Sequence, residues 1–338
     1  TPLNGSGKKC IMEMLKRIEL SDVTVVKEQS EPDGNFPTCP YPNPEITEAL
    51  QKGLDLCEEV KPDLLLATDP DCDRVGIAVN QNGNYVLMSG NEVGVLLLDF
   101  IARFKLEHNE MPANPVAVST IVSTAMTAEV AKNYGIELRN VLTGFKYIGD
   151  VIAELEKDGH PERYLLGFEE SYGYLKGGYV RDKDAVNASM LICEMASYFK
   201  KQGKTLIDVM SELYEKYGYY MNETLSFTFE GEDGMIKMKN ILDDIRKNPA
   251  KEIISSKVVA FSDYQNSVCY ANNEETVINL PKSNVLQFNL ENGSRLIVRP
   301  SGTEPKIKLY LSAKGNTKEI SMQLLEEMAI DGKKILGI

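Results

Sequence analysis

The chain has 338 residues, 43% hydrophobic and 26% charged, and its 37 basic against 50 acidic side chains give a net charge of −13. This length suggests two or three domains of an ordinary globular protein. The acidic balance argues against nucleic acid as a partner, and neither a bilayer-length apolar run nor a signal-peptide pattern occurs.

Six cysteines (10, 39, 57, 72, 193 and 269) are scattered without a CxxC pair. They read as reduced, mostly buried thiols of a cytoplasmic protein. The only histidines are His108 and His160, so a histidine zinc site or a Ser-His-Asp triad is not expected.

The chain opens TPLNGSG (1–7). Glycine and polar residues of this kind normally follow a strand and lead into a helix. The expectation is therefore a piece of a longer protein whose N-terminal part is absent. A helix is predicted over 7–19 and a strand at VTVV (23–26). The Pro-rich loop PDGNFPTCPYPNPE (32–45) follows, and a helix runs from Pro44 to about Val60, since proline suits a first helical turn. Strands are predicted at 64–67, 75–79 and 85–88, and a helix at 91–104. HNEMPANP (108–115) reads as a linker.

The next unit has strands at 116–122, 137–142 and 164–168. Its helices are predicted near 124–134, after TGFKYIGD (143–150), and over 185–201. From about Tyr219 the pattern changes: 223–229 alternates with period two, a helix covers 234–247, and ENGS (291–294) joins a hairpin. A strand at 307–313 and a helix over 317–335 close the chain. The fold class expected is α/β: two mixed-sheet α/β domains (1–110 and 111–218) followed by a smaller α+β domain (219–338).

Three motifs carry chemistry. The first is LLLATDPDCDRVGIAV (64–79), in which Asp69, Asp71 and Asp73 end a buried strand. Like charges about 4 Å apart repel by roughly 1 kcal/mol in water and about 4 at a protein surface, so the triplet calls for a hard divalent cation with oxygen ligands. An EF-hand fits poorly, because Arg74 stands where the loop needs glycine and Asn80 where it needs glutamate. A solvated acidic turn with Arg74 as counter-ion is the plain alternative. The second motif is GFEESYGYLKGG (167–178), where Glu169 and Ser171 suit vicinal sugar hydroxyls at the carboxyl end of a strand; a surface loop is the alternative. The third is RPSGTEPK (299–306). Arg299, Ser301, Gly302, Thr303 and Lys306 form a phosphate cradle of amides, hydroxyls and a guanidinium, or else a charged β-turn. Lys146 in TGFKYIGD has low weight by itself.

Together TPLNGSG, PDGNFPTCPYPNPE, ATDPDCDR, TGFKYIGD, GFEESYGY, RDKD and RPSGTEPK resemble the signatures of the α-D-phosphohexomutase family, the phosphoglucomutases and phosphomannomutases. The Glu-Glu-Ser-Tyr-Gly form is similar to the bacterial phosphoglucomutase branch. The resemblance spans essentially the whole chain. It implies an intramolecular phosphotransferase, an isomerase, that interconverts hexose 1-phosphate and hexose 6-phosphate, glucose preferred, through a phosphoserine and a hexose 1,6-bisphosphate. It implies Mg²⁺ on Asp69, Asp71 and Asp73, with the phosphoserine as a further ligand. Arg74 would lie beside the transferred phosphoryl group, and Lys183 and Lys146 would assist proton transfer or charge neutralisation. Glu169 and Ser171 would grip sugar hydroxyls, while Arg299, Ser301, Gly302, Thr303 and Lys306 would bind the phosphate that is not reacting. Small hexose phosphates, with glucose 1,6-bisphosphate as intermediate or activator, would be the ligands of a monomer. The family's serine sits in a Thr-Ala-Ser-His-Asn-Pro stretch, and this sequence has none. A fragment inactive alone is therefore expected. A metal-dependent phosphatase acting through its own nucleophile, such as Asp69, and a non-catalytic sugar-phosphate binder are the competing readings.

Overall fold

The computed structural model describes the chain except residues 230 and 302–304. Its described residues form two compact units, Thr1–Leu213 and Tyr214–Ile338.

The first unit holds two sheets. Helices α1 (Lys8–Arg17) and α2 (Thr47–Val60) precede an antiparallel sheet of β1 (Leu64–Thr68), β2 (Val75–Gln81) and β3 (Asn84–Met88), in the order β1-β2-β3. Side chains of a strand alternate between faces. On β1, Leu65 and Ala67 join Leu50 and Cys57 of α2, whereas Leu64 and Leu66 join Met14 and Leu15 of α1. Helix α3 (Gly90–Glu107) is buried on nearly every side over its first three turns, as expected for a core helix. Ser89 starts it with a capping box: its hydroxyl accepts from the Glu92 amide, and its own amide donates to the Glu92 carboxylate.

The second sheet contains β4 (Val116–Thr120), β5 (Glu137–Val141), β6 (Tyr164–Phe168) and β7 (Tyr174–Leu175), ordered β5-β4-β6-β7. β4 runs parallel to β5 and β6, and β7 runs antiparallel to β6. Helices α4 (Met126–Asn133), α5 (Phe145–Lys157), α6 (Ala185–Lys200) and α7 (Leu206–Tyr217) complete this part of the chain. Strands β4 and β6 are buried throughout, which suits the apolar runs 116–118 and 164–168.

The second unit contains β8 (Tyr219–Thr228), α8 (Gly231–Lys247), β9 (Glu252–Ile253), β10 (Ser256–Asp263), β11 (Val268–Ala271), β12 (Glu274–Val277), β13 (Leu286–Leu290), β14 (Arg295–Pro300), β15 (Lys306–Gly315) and α9 (Lys318–Leu336). Its sheet runs β12-β11-β10-β13-β14-β15-β8, with β9 pairing β10. Ile307, Leu309, Leu311 and Ala313 of β15 share a core with Met238 and Leu242 of α8 and Met328 of α9. The mixed α/β layers and the α+β C-terminal unit agree with the fold class read from the sequence.

Three expectations change. Pro44 lies in the turn before α2 and does not open the helix, which starts at Thr47. Residues 23–26 belong to no strand among the described residues. The polar stretch after α8, left without elements above, carries four strands. There Asn272 and Asn273, both with positive φ, turn β11 into β12.

Candidate functional site

The acidic loop is built by a hairpin. β1 ends at Thr68, residues 69–74 turn, and β2 returns in register, Thr68 opposite Val75. One Asp69 carboxylate oxygen accepts the amides of Asp73 (3.0 Å) and Arg74 (2.9 Å). That carboxylate therefore shapes the loop from inside. Asp69 is buried, Asp71 exposed and Asp73 half-buried, yet one oxygen from each lies within 4.8 Å of the others. Burial, against the opposing pull of the Arg74 amide and with Asp73 adding repulsion, pushes the Asp69 carboxyl up to about 7. The helix-entry segment presses on this loop. A Cβ on Gly5 would stand 2.2 Å from Pro70 Cα, and the Ser6 amide donates to the Pro70 carbonyl. Gly5 thus permits a close backbone approach.

Two cations face the triplet. Arg74 Nε lies 3.6 Å from Asp73 and 3.9 Å from Asp69, while its Nη1 donates to Glu45 at 3.2 Å. Lys183 Nζ lies 2.7 Å from Asp73 Oδ2. Burial works to depress the Lys183 ammonium, but its bonds to Asp73 and Asp182 prevail and hold it above the usual lysine range.

The second motif is stitched to the first by backbone. Val75 N donates to the Tyr172 carbonyl, Ala185 N to that of Cys72, and Arg74 bridges Gly173. Gly173 has no side chain where Lys183 passes; a Cβ there would meet Lys183 Cδ at 2.3 Å. Glu169 is 5% exposed and accepts the Gly144 amide at 2.9 Å. Burial raises its carboxyl, opposed by that amide and by Lys183. Ser171 follows, partly exposed. Glu170 points the other way, accepting from the Thr120 hydroxyl at 3.1 Å. Its carboxyl is buried although the residue keeps partial exposure. Burial, with Glu169 beside it, pushes that carboxyl up to about 7.

Asp69, Asp71, Asp73, Arg74, Lys183, Glu169 and the Glu169–Ser171 loop therefore come together in the first unit. Lys146 is exposed and lies over the Tyr147 ring, 4.8 Å from its centroid. In the second unit Arg299 of β14 donates to the Tyr310 hydroxyl at 3.4 Å, and the Ser301 amide donates to the Lys306 carbonyl at 2.7 Å. Gly302 and Thr303 lie outside the described residues. Two residues escaped the sequence reading. Glu45, at the end of the Pro-rich loop, holds Arg74, and the Gly144 amide holds Glu169. The first had a signal, a carboxylate placed directly after the last proline of that crossing; the second, a backbone group, had none.

The donor set tests the fit to a metal. Three carboxylates present only oxygen ligands, and the two cations beside them, shared with Glu45 and Asp182, leave an excess of negative charge. That suits a hard divalent ion.

Comparison with known proteins bears on the chain's membership. Family models for phosphoglucomutase/phosphomannomutase match in series: the alpha/beta/alpha domain II over residues 1–83, the alpha/beta/alpha domain III over 89–217, and the C-terminal domain over 245–330. A phosphoglucomutase of Staphylococcus aureus (strain bovine RF122 / ET3-1) is 38% identical over 317 residues, 93% of this chain and 56% of that protein. One from Staphylococcus haemolyticus is 35% identical over 328 residues, 96% of this chain and 58% of its own. The chain thus spans little more than half the length of these curated relatives. Among solved structures, the open form of a phosphoglucomutase from Paramecium, pp63/parafusin, superposes with a TM-score of 0.70 at 18% identity, covering 99% of this chain and 56% of that one. A putative phosphomannomutase from Thermus thermophilus gives 0.66 at 18% identity, covering 98% and 60%. At such identities the structures speak to fold. With three consecutive domain models matched across most of its length, this chain belongs to the phosphoglucomutase/phosphomannomutase family, the α-D-phosphohexomutases.

Proposed function

We propose that the chain supplies the metal, sugar and distal-phosphate sites of a phosphoglucomutase-type isomerase, one that interconverts hexose 1-phosphate and hexose 6-phosphate, with glucose preferred. The observation that carries this reading is the backbone-linked cluster of Asp69, Asp71, Asp73, Arg74, Lys183 and Glu169. Asp69, Asp71 and Asp73 would hold Mg²⁺, which, when bound, supplies charge stabilisation to a phosphoryl group in flight.

The chain's own residues do the rest. Phosphoryl transfer depends on positioning and electrostatics more than on covalent chemistry. Arg74, pinned by Glu45 and Asp73, is placed to receive phosphoryl oxygens. Lys183 carries its proton firmly and so acts as a donor beside the same carboxylate. Glu169 accepts sugar hydroxyls with Ser171. Its hold on the Gly144 amide fixes the start of α5, the helix that carries Lys146. Arg299, Ser301 and Lys306, with Gly302 and Thr303, bind the phosphate at rest. The phosphoryl donor of the reaction is a phosphoserine, and the stretch that bears it in the family does not occur among these 338 residues. Residues 1–338 alone therefore bind hexose phosphates without turning them over.

The test is calorimetric titration of the chain with glucose 1,6-bisphosphate in Mg²⁺, beside Arg299→Ala. Saturable binding weakened about tenfold or more by the substitution is expected. Absence of binding both here and in a chain joined to a phosphoserine domain of the family would overturn the reading.

A further inference from the structure

Just past the end of β6, two adjacent carboxyls point in opposite directions. Glu169 accepts the Gly144 amide at 2.9 Å, and Glu170 accepts the Thr120 hydroxyl at 3.1 Å. Thr120 closes β4 and is fully buried. Its hydroxyl lies 2.8 Å from that of Ser123, which is buried as well. The start of α3 forms the other wall of this seat. A Cβ on Gly90 would stand 2.2 Å from the Glu170 carbonyl oxygen and 2.8 Å from the Tyr172 nitrogen, so only glycine lets the loop backbone lie against the helix there. The Asn91 side-chain oxygen accepts the Thr124 amide at 2.8 Å, which ties the end of β4 to the same helix start. Tyr172 then adopts a positive φ of 66°, a conformation that a bulky residue keeps only where its surroundings impose it. Its carbonyl accepts the Val75 amide.

We propose that Glu170 is a positioning residue for sugar recognition: seated between the end of β4 and the start of α3, it locks the 169–173 loop so that Glu169 and Ser171 face the hexose hydroxyls. The inference rests on the sugar-site reading of Glu169 and Ser171. Two neighbouring carboxyls in one buried place do not both ionise without strong repulsion, and their surroundings divide the roles. Burial raises Glu169, but the Gly144 amide and Lys183 oppose it. Glu169 is thus the one favoured to ionise, and a carboxylate is the stronger acceptor of hydroxyl protons. Around Glu170, burial acts first, and two acids add repulsion: Glu169 beside it and Glu45 of the Pro-rich loop. Together they keep its proton in place up to about 7. From α3, Glu92 faces the neighbouring Tyr172. A neutral Glu170 stays in the seat. An ionised one gains by leaving it for water, and the loop loosens with it. Sugar binding is therefore coupled to a proton on a side chain that points away from the sugar.

The test follows the loop in the full chain with and without a ligand. In the ligand-free protein, protection of the Gly144 amide, corrected for the intrinsic pH dependence of exchange, is expected to fall about fivefold between pH 6 and pH 8. Glu170→Gln keeps the acceptor and carries no charge, so its protection is expected to stay level. The same variant is expected to bind glucose 1,6-bisphosphate in Mg²⁺ as the wild type does at pH 6, and about fivefold more tightly than the wild type at pH 8. Comparing the two proteins at each pH removes the ligand's own ionisation, and a merely structural role would shift both pH values alike. Thr120→Val removes the hydroxyl and is expected to lower Gly144 protection at both pH values. Equal wild-type protection at the two pH values, or a Glu170→Gln affinity ratio that does not change with pH, overturns the proposal. Should Glu170→Gln not fold, the wild-type profile and Thr120→Val decide, and unchanged protection in Thr120→Val overturns it. Protection that follows pH while no form binds the bisphosphate at either pH overturns the sugar-site reading itself, and this inference with it.

Discussion

Lys183 Nζ stands 2.7 Å from Asp73 Oδ2, so a lysine from the segment before α6 competes with any cation for one carboxylate of the acidic triplet. Replacing it unmasks that charge. Lys183→Ala is expected to tighten Mg²⁺ binding about fivefold, the scale of a partly exposed ion pair, while weakening hexose bisphosphate binding. Asp71→Asn is expected to weaken Mg²⁺ binding about tenfold without changing Tm, since Asp71 is exposed. Metal titration with both variants checks this, and looser Mg²⁺ binding in Lys183→Ala would show that the lysine supports the site instead of masking it.

Glu170 predicts a pH dependence. Its folded-state carboxyl sits at about 7 against an ordinary 4.5. A raised acid favours the neutral form, so its contribution is fully present below about 4.5 and is lost as pH rises through 7. Unfolding free energy should therefore decline across that window by about 2–3 kcal/mol on this account alone. Glu170→Gln keeps an acceptor for Thr120 and carries no charge. It is expected to raise Tm at pH 8 and leave it unchanged at pH 4, as thermal melts at the two pH values will show.

Gly5 has no room for a methyl group. The clash is with backbone atoms of Pro70, at 2.2 and 2.5 Å, which cannot rotate away. Gly5→Ala is expected to cost about 2–3 kcal/mol and to lower Mg²⁺ affinity, because the displaced residue lies between Asp69 and Asp71. Gly34→Ala, where a Cβ would meet nothing within 4 Å, serves as the control in the same denaturant titration.

In the second unit Asp263 is 3% exposed. It receives Arg246 Nε at 3.4 Å, the Gln265 amide at 3.0 Å and the Asn266 side-chain amide at 2.6 Å. Asp263→Ala takes from a largely buried guanidinium one of its two carboxylates, Asp243 remaining, and leaves the Gln265 amide and the Asn266 side chain without their acceptor. The expected loss is about 3 kcal/mol, read from urea unfolding.

What could be read from sequence was what is local. The acidic triplet after an apolar run marked a strand end, and the hairpin at ENGS carried its own turn signal. Pairing over long distances was less legible. Residues 23–26 have the β-branched composition of a strand, but a strand also needs a neighbour, and composition does not reveal one. The hairpin of β11 and β12 had a signal, Asn272-Asn273, that accepts positive φ as Asn-Gly does. It was hidden by flanks that are polar because β12 is exposed. At the site, the motif residues Asp69, Asp73, Arg74 and Glu169 were legible by type. Their partners Glu45 and Gly144 were not, since each reaches the site from another loop.

Cys72 lies in the middle of the acidic loop, with positive φ and a thiol packed toward Gly7. Burial, partly offset by Thr68, pushes that thiol up to about 12. Only the thiolate reacts readily with electrophiles and peroxides. At neutral pH the buried Cys72 thiol therefore stays protonated. The acidic loop therefore carries a sulfur that oxidants and alkylating reagents pass by. Cys10, exposed on α1, offers the accessible handle for a fluorophore, one that leaves the acidic loop chemically untouched.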